Sequence, residues 1–292
     1  MAGKFERTES SIESLEHLTV LATAGIWKTL ETHDRLGEAG LELVQSNQFG
    51  ETALRVDVEC EEAILNVLRK SGIAMRVHSE EYGIVHIGDN PRYLAVLDGL
   101  DGSSVFKKER GRGRYGTMFG ISEGTDPTYS DYLVSGILEH TTKRLFIASK
   151  GGGAYVMLQD GQRTPIHSSQ KTQFDPTTRI YTDDYWEIVR KTFSEKLAGY
   201  DMRPGGSTAV FYVDVASGAA DMALDCTYKG NLEKGSGYGL IHEAGAAMVD
   251  INGQGIGDKK YLEFGQREQL PIVTAANLEL AEAFLDYIKS KS

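Results

Sequence analysis

Two aspartates separated by two residues follow an apolar run and lie beside two glycines. The run 93–97 predicts a buried strand, and Asp98 and Asp101 follow it in a turn that contains Gly99 and Gly102. Carboxylates at a strand end are held rigidly, and carboxylate oxygens are the ligands that hard divalent cations prefer. Backbone N–H groups of the next residues can hold an anion beside the cation. The stretch therefore predicts a metal centre that receives an anionic ligand.

Other acidic residues stand where they could join this centre. The run 73–77 predicts a short strand, and Glu80 and Glu81 follow it closely. If this strand pairs with the run 93–97, Glu80 and Asp98 lie in one crevice at the sheet end, where ligands of α/β sheets bind. Asp57 lies in or just before the first turn of a predicted helix. Solvated surface glutamates and a helix-capping aspartate are the alternative interpretations of these residues.

The residues 107–114 form a dense basic run in an otherwise acidic chain. One interpretation is a solvated loop. The other is a flexible basic loop that receives a phosphate or a second anionic group of a substrate.

The elements that position these residues follow from the periodicity of the chain. Apolar residues at three- and four-residue spacing between 12 and 30 predict a long amphipathic helix, and a second helix ends near Gly72. The segments 115–122, 133–139, 144–149 and 154–158 predict antiparallel strands. After a polar segment, 168–178, strands and helices alternate to the C-terminus. We therefore predict an α/β protein with an α+β N-terminal half, divided into domains 1–170 and 171–292, the first with the carboxylates of the predicted metal centre.

Composition limits the class of protein. The chain has 292 residues, of which 40% are hydrophobic, and a formal net charge of −11. This charge argues against a protein that binds nucleic acid or acidic membranes in general. No apolar run approaches the ~18 residues of a membrane span. The cysteines Cys60 and Cys226 lack disulfide or metal-ligand spacing, so we expect a soluble protein in the reducing cytoplasm.

The order of these motifs resembles the inositol monophosphatase and fructose-1,6-bisphosphatase superfamily of metal-dependent sugar-phosphate phosphatases. The fragments that carry the resemblance run in order over most of the chain: Asp57, Ser79-Glu80-Glu81, residues 98–104, the glycine hairpin 148–155, Gly206-Ser207-Thr208-Ala209, residues 215–221 and Glu243-Ala244-Gly245-Ala246. The resemblance implies a layered αβαβα sandwich and a small phosphorylated sugar or polyol as substrate. It also implies a homodimer and two or three Mg²⁺ ions per site, for which Mn²⁺ could substitute.

The resemblance implies a role for each matching residue. Glu80, Asp98 and the carbonyl of Leu100 would hold one Mg²⁺, and Asp98 and Asp101 would share a second with an acidic residue that precedes the Gly-rich helix. That residue is Glu233, where the family has the aspartate of a Trp-Asp pair, so the side chain is one methylene longer here. The resemblance thus implies that domain 171–292 completes the substrate and second-metal sites. Asp225 could stand in for it. Gly99 is a second departure, because the family usually has proline there and glycine leaves the turn less pre-organised.

The implied mechanism needs no protein nucleophile. Glu80 and a hydrogen-bonded Ser103–Asp57 pair would orient and deprotonate the attacking water, and the N–H groups of Gly102 and Ser103 would hold the phosphate. Three further residues match positions that contact the polyol face of the substrate: Arg203, Ser207 and Asp225. A neighbouring ion pair, a helix N-cap and a solvated strand end are the alternatives for these three.

The expected function is Mg²⁺-dependent hydrolysis of inositol monophosphate, fructose 1,6-bisphosphate or both. The basic run favours a substrate with two phosphates or a broad specificity. A catalytically weak sugar-phosphate-binding relative and a 3'-phosphoadenosine-type nucleotide phosphatase remain alternatives. A nucleotide-dependent enzyme that uses the glycines of 235–239 is disfavoured, because no clear strand precedes them and the third glycine of the dinucleotide spacing is missing.

Overall fold

The structure is a computed structural model that describes residues 9–109 and 112–291. For residues 9–13 only the backbone is described, so the apolar stripe predicted from residue 12 can be followed in side chains from residue 14 onward. Within the described residues the helices are α1 Glu9–Leu36, α2 Arg55–Ser71, α3 Ser103–Glu109, α4 Glu187–Thr192, α5 Thr208–Ala216, α6 Leu232–Glu243 and α7 Leu278–Ser290. None of these helices combines the length and the apolar composition that a bilayer span requires.

The described strands form one hairpin and two larger sheets. They are β1 Leu43–Ser46, β2 Thr52–Leu54, β3 Met75–Ser79, β4 Gly83–Ile87, β5 Tyr93–Asp101, β6 Gly116–Glu123, β7 Tyr132–Glu139, β8 Arg144–Ser149, β9 Gly153–Met157, β10 Arg163–Ile166, β11 Ile180–Thr182, β12 Met202–Pro204, β13 Met222–Cys226, β14 Ala247–Asp250 and β15 Pro271–Ala275. Short 3-10 helices cover Gly37–Leu41, Tyr129–Asp131, Ser194–Lys196 and Lys229–Asn231.

The first sheet has eight strands in the order β10-β9-β8-β7-β6-β5-β3-β4. The strands from β5 through β10 are antiparallel neighbours, as the sequence predicts for the region after residue 115. The strands β3 and β5 are parallel, with Ser79 opposite Leu97. Because parallel strands end at the same edge, the acidic residues after β3 and at the end of β5 lie side by side.

The second sheet has five strands in the order β12-β11-β13-β15-β14. The strands β11, β12 and β13 are parallel, whereas β15 is antiparallel to both β13 and β14.

Helices separate and cover the two sheets. The helices α1 and α2 pack on one face of the first sheet, α5 and α6 contact strands of both sheets, and α4 and α7 contact the second sheet. Each interface buries an apolar core, in which Ile26, Val213 and Phe284 are representative residues. The layers therefore run αβαβα, which confirms the predicted fold class. The boundary predicted at residue 170 falls between β10 and β11 and stays a prediction.

Burial on both faces explains the composition of β5. All nine of its residues are buried, because α2 lies on one face and α6 on the other. A strand covered on both sides reads as a continuous apolar run, which is what residues 93–97 show.

The Gly-rich helix α6 is a packing helix. A Cβ atom at Gly237 would lie 2.4 Å from Cδ2 of Tyr212, and one at Gly239 would lie 2.5 Å from Cδ2 of Tyr132. The glycines of 235–239 therefore allow the helix to approach its neighbours closely. The alternative of a nucleotide loop at these residues is wrong, because they lie within a helix that packs between the sheets.

Two local elements differ from the sequence prediction. The helix α3 occupies the start of the expected basic loop, because residues 103–109 lack glycine and proline and Phe106 is buried. The polar segment 46–52 contains the turn, residues 47–51, of the hairpin formed by β1 and β2, in which Oδ1 of Asn47 accepts the N–H groups of Phe49 and Glu51. This turn was not predicted, since its two strands have only four and three residues.

Candidate active site

Three carboxylates from distant parts of the chain meet at the end of β5. Oxygen atoms of Asp98, Asp101 and Glu233 all lie within 4.8 Å of one another, and all three residues are buried. The strand β5 supplies both aspartates, and the first turn of α6 supplies Glu233. The structure thus brings the predicted distal acidic residue to the two aspartates.

The three carboxylates raise one another's proton affinity. Burial raises the pKa of Asp98 well above its ordinary value, and the charges of Glu80, Asp101 and Glu233 raise it further. Burial also raises the pKa of Asp101 to about 6 and that of Glu233 to about 7. Negative charge is concentrated here without an equal number of adjacent cations.

These residues fit a hard divalent cation. All the donors are carboxylate oxygens, which is the ligand type that Mg²⁺ prefers. The atom Oε2 of Glu233 is buried and has no hydrogen-bond partner among the described residues. A buried carboxylate oxygen without a partner is costly unless a cation compensates it. The donor set and this oxygen are therefore what a metal centre requires.

Asp101 is anchored at the start of α5. Its Oδ2 atom accepts a hydrogen bond from the Ser207 hydroxyl at 2.5 Å and one from the Ala209 N–H group at 2.7 Å. Ser207 is also the N-cap of α5, which was the alternative to a substrate contact in the sequence analysis. Its hydroxyl is thus occupied with positioning Asp101, and the predicted substrate contact would require it to leave that carboxylate.

Gly102 makes the close approach of these elements possible. Its φ is +91°, and a Cβ atom would lie 2.8 Å from Cβ of Ser207. Any other residue would be strained and would push α5 away from β5. The Gly102 N–H and the Ser103 N–H belong to the turn that leads into α3, beside Asp101.

Gly99 and Leu100 interrupt the pairing of β5 with β6. The register shifts between Asp98 and Asp101, and the Leu100 N–H donates to Oδ1 of Asp98 at 2.9 Å. A Cβ atom at Gly99 would lie 2.4 Å from the Asp57 carbonyl oxygen and 2.7 Å from Cγ of Glu61. Lack of space for a side chain therefore accounts for the glycine at this position.

Asp57 caps α2 and keeps one oxygen unpaired. Its Oδ2 atom accepts the Leu54 N–H at 2.9 Å, so the capping interpretation is correct. Its Oδ1 atom is buried and has no hydrogen-bond partner among the described residues. The predicted hydrogen bond between Ser103 and Asp57 is therefore not formed in this structure. Burial raises the pKa of Asp57 well above its ordinary value.

Glu80 is bound by a lysine that the sequence analysis did not single out. Its Oε1 atom lies 3.3 Å from Nζ of Lys229, and the same Nζ lies 2.5 Å from Oε2 of Glu51. Burial lowers the pKa of Lys229, but Glu80 and Glu51 raise it by more, so the ammonium stays charged. The sequence signal that could have indicated Lys229 is a basic residue in the turn just before α6, whose first turn contains Glu233.

Glu61 is a second residue that the sequence analysis missed. It is fully buried, and its carboxylate accepts the N–H groups of Glu80 and Glu81 and the hydroxyl of Ser79. This side chain therefore shapes the turn that carries Glu80. Its position one turn after Asp57 on α2 was the signal that could have indicated it.

Two of the predicted substrate contacts have other partners in this structure. Asp225 has no exposed surface; it is ion-paired with Lys234 and accepts the hydroxyl of Tyr212. It could neither reach a substrate nor replace Glu233 without breaking that pair, and both expected roles of Asp225 stay predictions. Arg203 stacks its guanidinium over the ring of Tyr181 at 5.9 Å, and it is not among the residues that line the cleft described next.

A cleft of about 510 Å³ opens beside the cluster. Acidic and aromatic side chains form much of its wall. The lining residues that matter here are Glu51, Asp101, Gly102, Ser103, Asp183, Asp184, Tyr185, Trp186, Ser207, Tyr228 and Lys229. Among the described lining residues, Lys229 is the one with a basic side chain. An anionic ligand therefore needs added cations to enter this cleft.

The predicted basic loop is only partly a loop. Lys107 and Lys108 lie on α3, and Arg114 is committed to Asp214 and Glu139, with its two terminal nitrogens 2.8 and 2.7 Å from the oxygens of Asp214. Residues 110 and 111 of this run lie outside the described residues. Arg114 therefore has a structural role, and the expected flexibility does not apply to it.

Comparison with known proteins identifies the relatives of this arrangement. Residues 15–290 match the sequence model of the inositol monophosphatase family. A fructose-1,6-bisphosphatase/inositol-1-monophosphatase of Methanothermobacter thermautotrophicus is 26% identical over 265 residues, which cover 85% of this chain and 87% of that protein. A bifunctional NADP phosphatase/NAD kinase of Methanococcus maripaludis is 27% identical over 229 residues, covering 74% of this chain and 40% of that protein.

Solved structures show the same fold. An inositol monophosphatase from Zymomonas mobilis superposes with a TM-score of 0.70, with 97% of this chain and 100% of that chain covered at 16% sequence identity.

Proposed function

The chain belongs to the inositol monophosphatase family, and from this premise we propose that it is a Mg²⁺-dependent phosphomonoesterase that acts on a small phosphorylated sugar or polyol. The observation that carries the proposal is the buried cluster of Asp98, Asp101 and Glu233, whose oxygens lie within 4.8 Å of one another. Members of this family hydrolyse phosphomonoesters. Inositol monophosphate and fructose 1,6-bisphosphate are the substrates we expect.

We assign the cation ligands to Asp98, Asp101 and Glu233, with the carbonyl of Leu100 as a further oxygen donor. Divalent cations bound there supply charge neutralisation at the phosphate and lower the pKa of a coordinated water molecule. Mn²⁺ can take the place of Mg²⁺, since both accept oxygen ligands.

The remaining roles belong to residues around the cluster. The N–H groups of Gly102 and Ser103 would donate hydrogen bonds to the phosphate, beside the cluster and at the cleft wall. The unpaired Oδ1 of Asp57 is the acceptor that we assign to the Ser103 hydroxyl or to the attacking water. Glu80 was predicted both as a metal ligand and as a base, and we assign to it the role of the base that deprotonates the attacking water. Ser207 acts through Asp101, whose carboxylate it orients.

A nucleotide is the second candidate substrate, and one feature of the cleft favours it. The side chain of Tyr185 is 84% exposed at the cleft wall, and its ring packs edge-on against Trp186 at 5.1 Å. The exposed Tyr185 ring can stack on a base, and Asp183 and Asp184 beside it can accept hydrogen bonds from ribose hydroxyls. One relative of this chain is named as an NADP phosphatase.

Phosphate release tests these proposals together. The purified protein with Mg²⁺ should release phosphate from at least one of inositol 1-phosphate, fructose 1,6-bisphosphate, 3'-phosphoadenosine 5'-phosphate and NADP. Turnover of the first two supports the sugar and polyol assignment, and preference for the last two supports the nucleotide. Binding of these compounds without turnover would identify the catalytically weak relative, and inactivity and lack of binding throughout would contradict the proposal.

The assembly and location that we propose are a homodimer in the cytoplasm, with a small-molecule substrate and no nucleic-acid or membrane partner. Sedimentation showing a monomer at micromolar concentration would refute the dimer. The division into domains 1–170 and 171–292 is tested by limited proteolysis, which should cut first between β10 and β11.

A further inference from the structure

A protein cation already contacts the carboxylate that family resemblance assigns to a metal ion. Nζ of Lys229 lies between Oε1 of Glu80, at 3.3 Å, and Oε2 of Glu51, at 2.5 Å. The side chains of Lys229 and Glu80 are 24% and 15% exposed, so this contact is partly shielded from solvent. Glu51 belongs to the turn between β1 and β2, which places this hairpin against the site.

The backbone holds Lys229 in an unusual conformation. Lys229, Gly230 and Asn231 have φ values of +44°, +68° and +55°, three left-handed residues in succession. Non-glycine residues in this region persist only where the surroundings enforce the conformation, and such residues cluster at functional sites.

Hydrogen bonds on both sides fix this segment. The Tyr228 N–H donates to Oδ1 of Asn231 at 3.1 Å, the Asn231 amide donates to the Phe264 carbonyl, and the amide of Gln266 donates to the Gly230 carbonyl at 3.0 Å. The position of the Lys229 backbone is therefore set by the fold.

Glu80 lies close enough for its charge to raise the pKa of Asp98, but it is outside the group of three clustered carboxylates. Asp98, Asp101 and Glu233 meet within 4.8 Å, and Glu80 is not a member of that group. A divalent ion that bound Oε1 of Glu80 would have to displace the ammonium, because like charges at contact distance repel each other. Glu51 holds the same ammonium from the other side and opposes that displacement.

We propose that Lys229 is a resident cation of this site, which holds Glu80 in place of a divalent ion and keeps it out of the metal-binding set. The divalent ions then bind through Asp98, Asp101 and Glu233, and the site holds fewer ions than the two or three that family resemblance implies. Lys229 is thus a positioning residue for Glu80. This inference rests on the proposed function only in requiring that the cluster binds divalent ions.

Counting bound Mn²⁺ ions tests this inference without reference to turnover. Isothermal titration should show that Lys229→Met binds one more Mn²⁺ per chain than the wild type, and that Lys229→Met combined with Glu80→Gln does not. Lys229→Arg keeps the charge and should match the wild type. Lys28→Met removes an equivalent charge from an exposed ion pair with Glu31 on α1 and should also match it. Thermal melts of each variant verify that it is folded.

A second measurement does not depend on the folding of the lysine variant. Glu80→Gln alone should leave the Mn²⁺ stoichiometry unchanged, whereas Asp98→Asn should lower it. Loss of an ion in Glu80→Gln, or an unchanged stoichiometry in folded Lys229→Met, would overturn the inference. If the ion counts follow these expectations while no phosphate is released, the proposed function fails and this inference stands. If the wild type binds no Mn²⁺, both fail.

Discussion

The ammonium group of Lys234 lies 2.8 Å from a carboxylate oxygen of Asp225, and neither side chain has any exposed surface. The same carboxylate accepts the hydroxyl of Tyr212 at 3.1 Å. Lys234 follows Glu233 directly in the chain, and its pair with Asp225 joins α6 to β13. It therefore ties α6, which supplies Glu233, to the second sheet.

Removing one member of this pair should be costly. Lys234→Met leaves the Asp225 charge buried without its partner, and we expect the free energy of unfolding to fall by about 3–5 kcal/mol. Lys234→Met combined with Asp225→Asn removes both charges and should recover most of this loss, since an apolar replacement of a buried pair is often tolerated. Urea unfolding of the two variants provides the comparison. Equal stability of both variants would show that the pair is not buried in solution.

Asp98→Asn should abolish most of the activity. It removes a proposed metal ligand whose carboxylate lies within 4.8 Å of those of Asp101 and Glu233. Losing even a partner of a metal ligand costs ~10–100-fold, so we expect turnover to fall by at least ~100-fold. Phosphate release measures this, and the stabilisation of the protein by Mg²⁺ in a thermal melt should disappear with it. Asp286→Asn, on the exposed surface of α7, is the matched control and should behave as wild type.

Glu233→Asp distinguishes an adapted site from an impaired one. The shorter side chain withdraws the carboxylate by about 1.5 Å, one carbon–carbon bond, from a position already within 4.8 Å of Asp98 and Asp101. We therefore expect metal affinity to fall by ~10–100-fold, measured by Mn²⁺ titration. A gain in affinity and turnover would show instead that the glutamate impairs the site.

The metal-free protein should lose stability as the pH rises. The pKa values of Asp101 and Glu233 are raised to about 6 and about 7 from ordinary values of 3.8 and 4.5. Groups with raised pKa values in the folded state bind protons more tightly there than in the unfolded state. Their contribution is complete below the ordinary values and is lost as the pH passes about 6 and then about 7.

Melting temperatures across this pH range, measured with a chelator and with Mg²⁺, test this expectation. Mg²⁺ binds the ionised carboxylates and should flatten the decline; at a concentration 100 times its dissociation constant it adds about 2.7 kcal/mol. A melting temperature that rises through this range in the presence of chelator would contradict the assignment.

Gly99→Ala should destabilise the protein. Its Cβ atom would fall 2.4 Å from the Asp57 carbonyl oxygen, and backbone cannot yield as a flexible side chain can. Overpacking of this kind costs ~1–3 kcal/mol, measured by urea unfolding. Gly255→Ala is the matched control, since nothing lies within 4 Å of its Cβ position and its φ is not positive. An equal effect at both sites would contradict this explanation of the glycine.

Local sequence patterns already predicted the α/β class, the antiparallel strands after residue 115, and Asp98 and Asp101 at the end of a buried strand. These features depend on residues close together in the chain, where apolar periodicity and turn residues specify the backbone. The family resemblance then implied Glu233 as the distal partner, and the structure brings it to the two aspartates.

Only the tertiary structure decided which charges meet. In the sequence Lys229 is one residue of a polar turn, and only the fold shows that it lies between Glu51 and Glu80. The sequence suggested Asp225 as a substrate contact, and only the fold shows that it is buried and paired with Lys234. An ion pair depends on the packing of elements far apart in the chain, and a buried charge must be matched by an opposite one wherever that packing places it. The residue types and the acidic motifs were thus determined by the sequence alone, whereas their partners were decided by the packing of the two sheets and the helices between them.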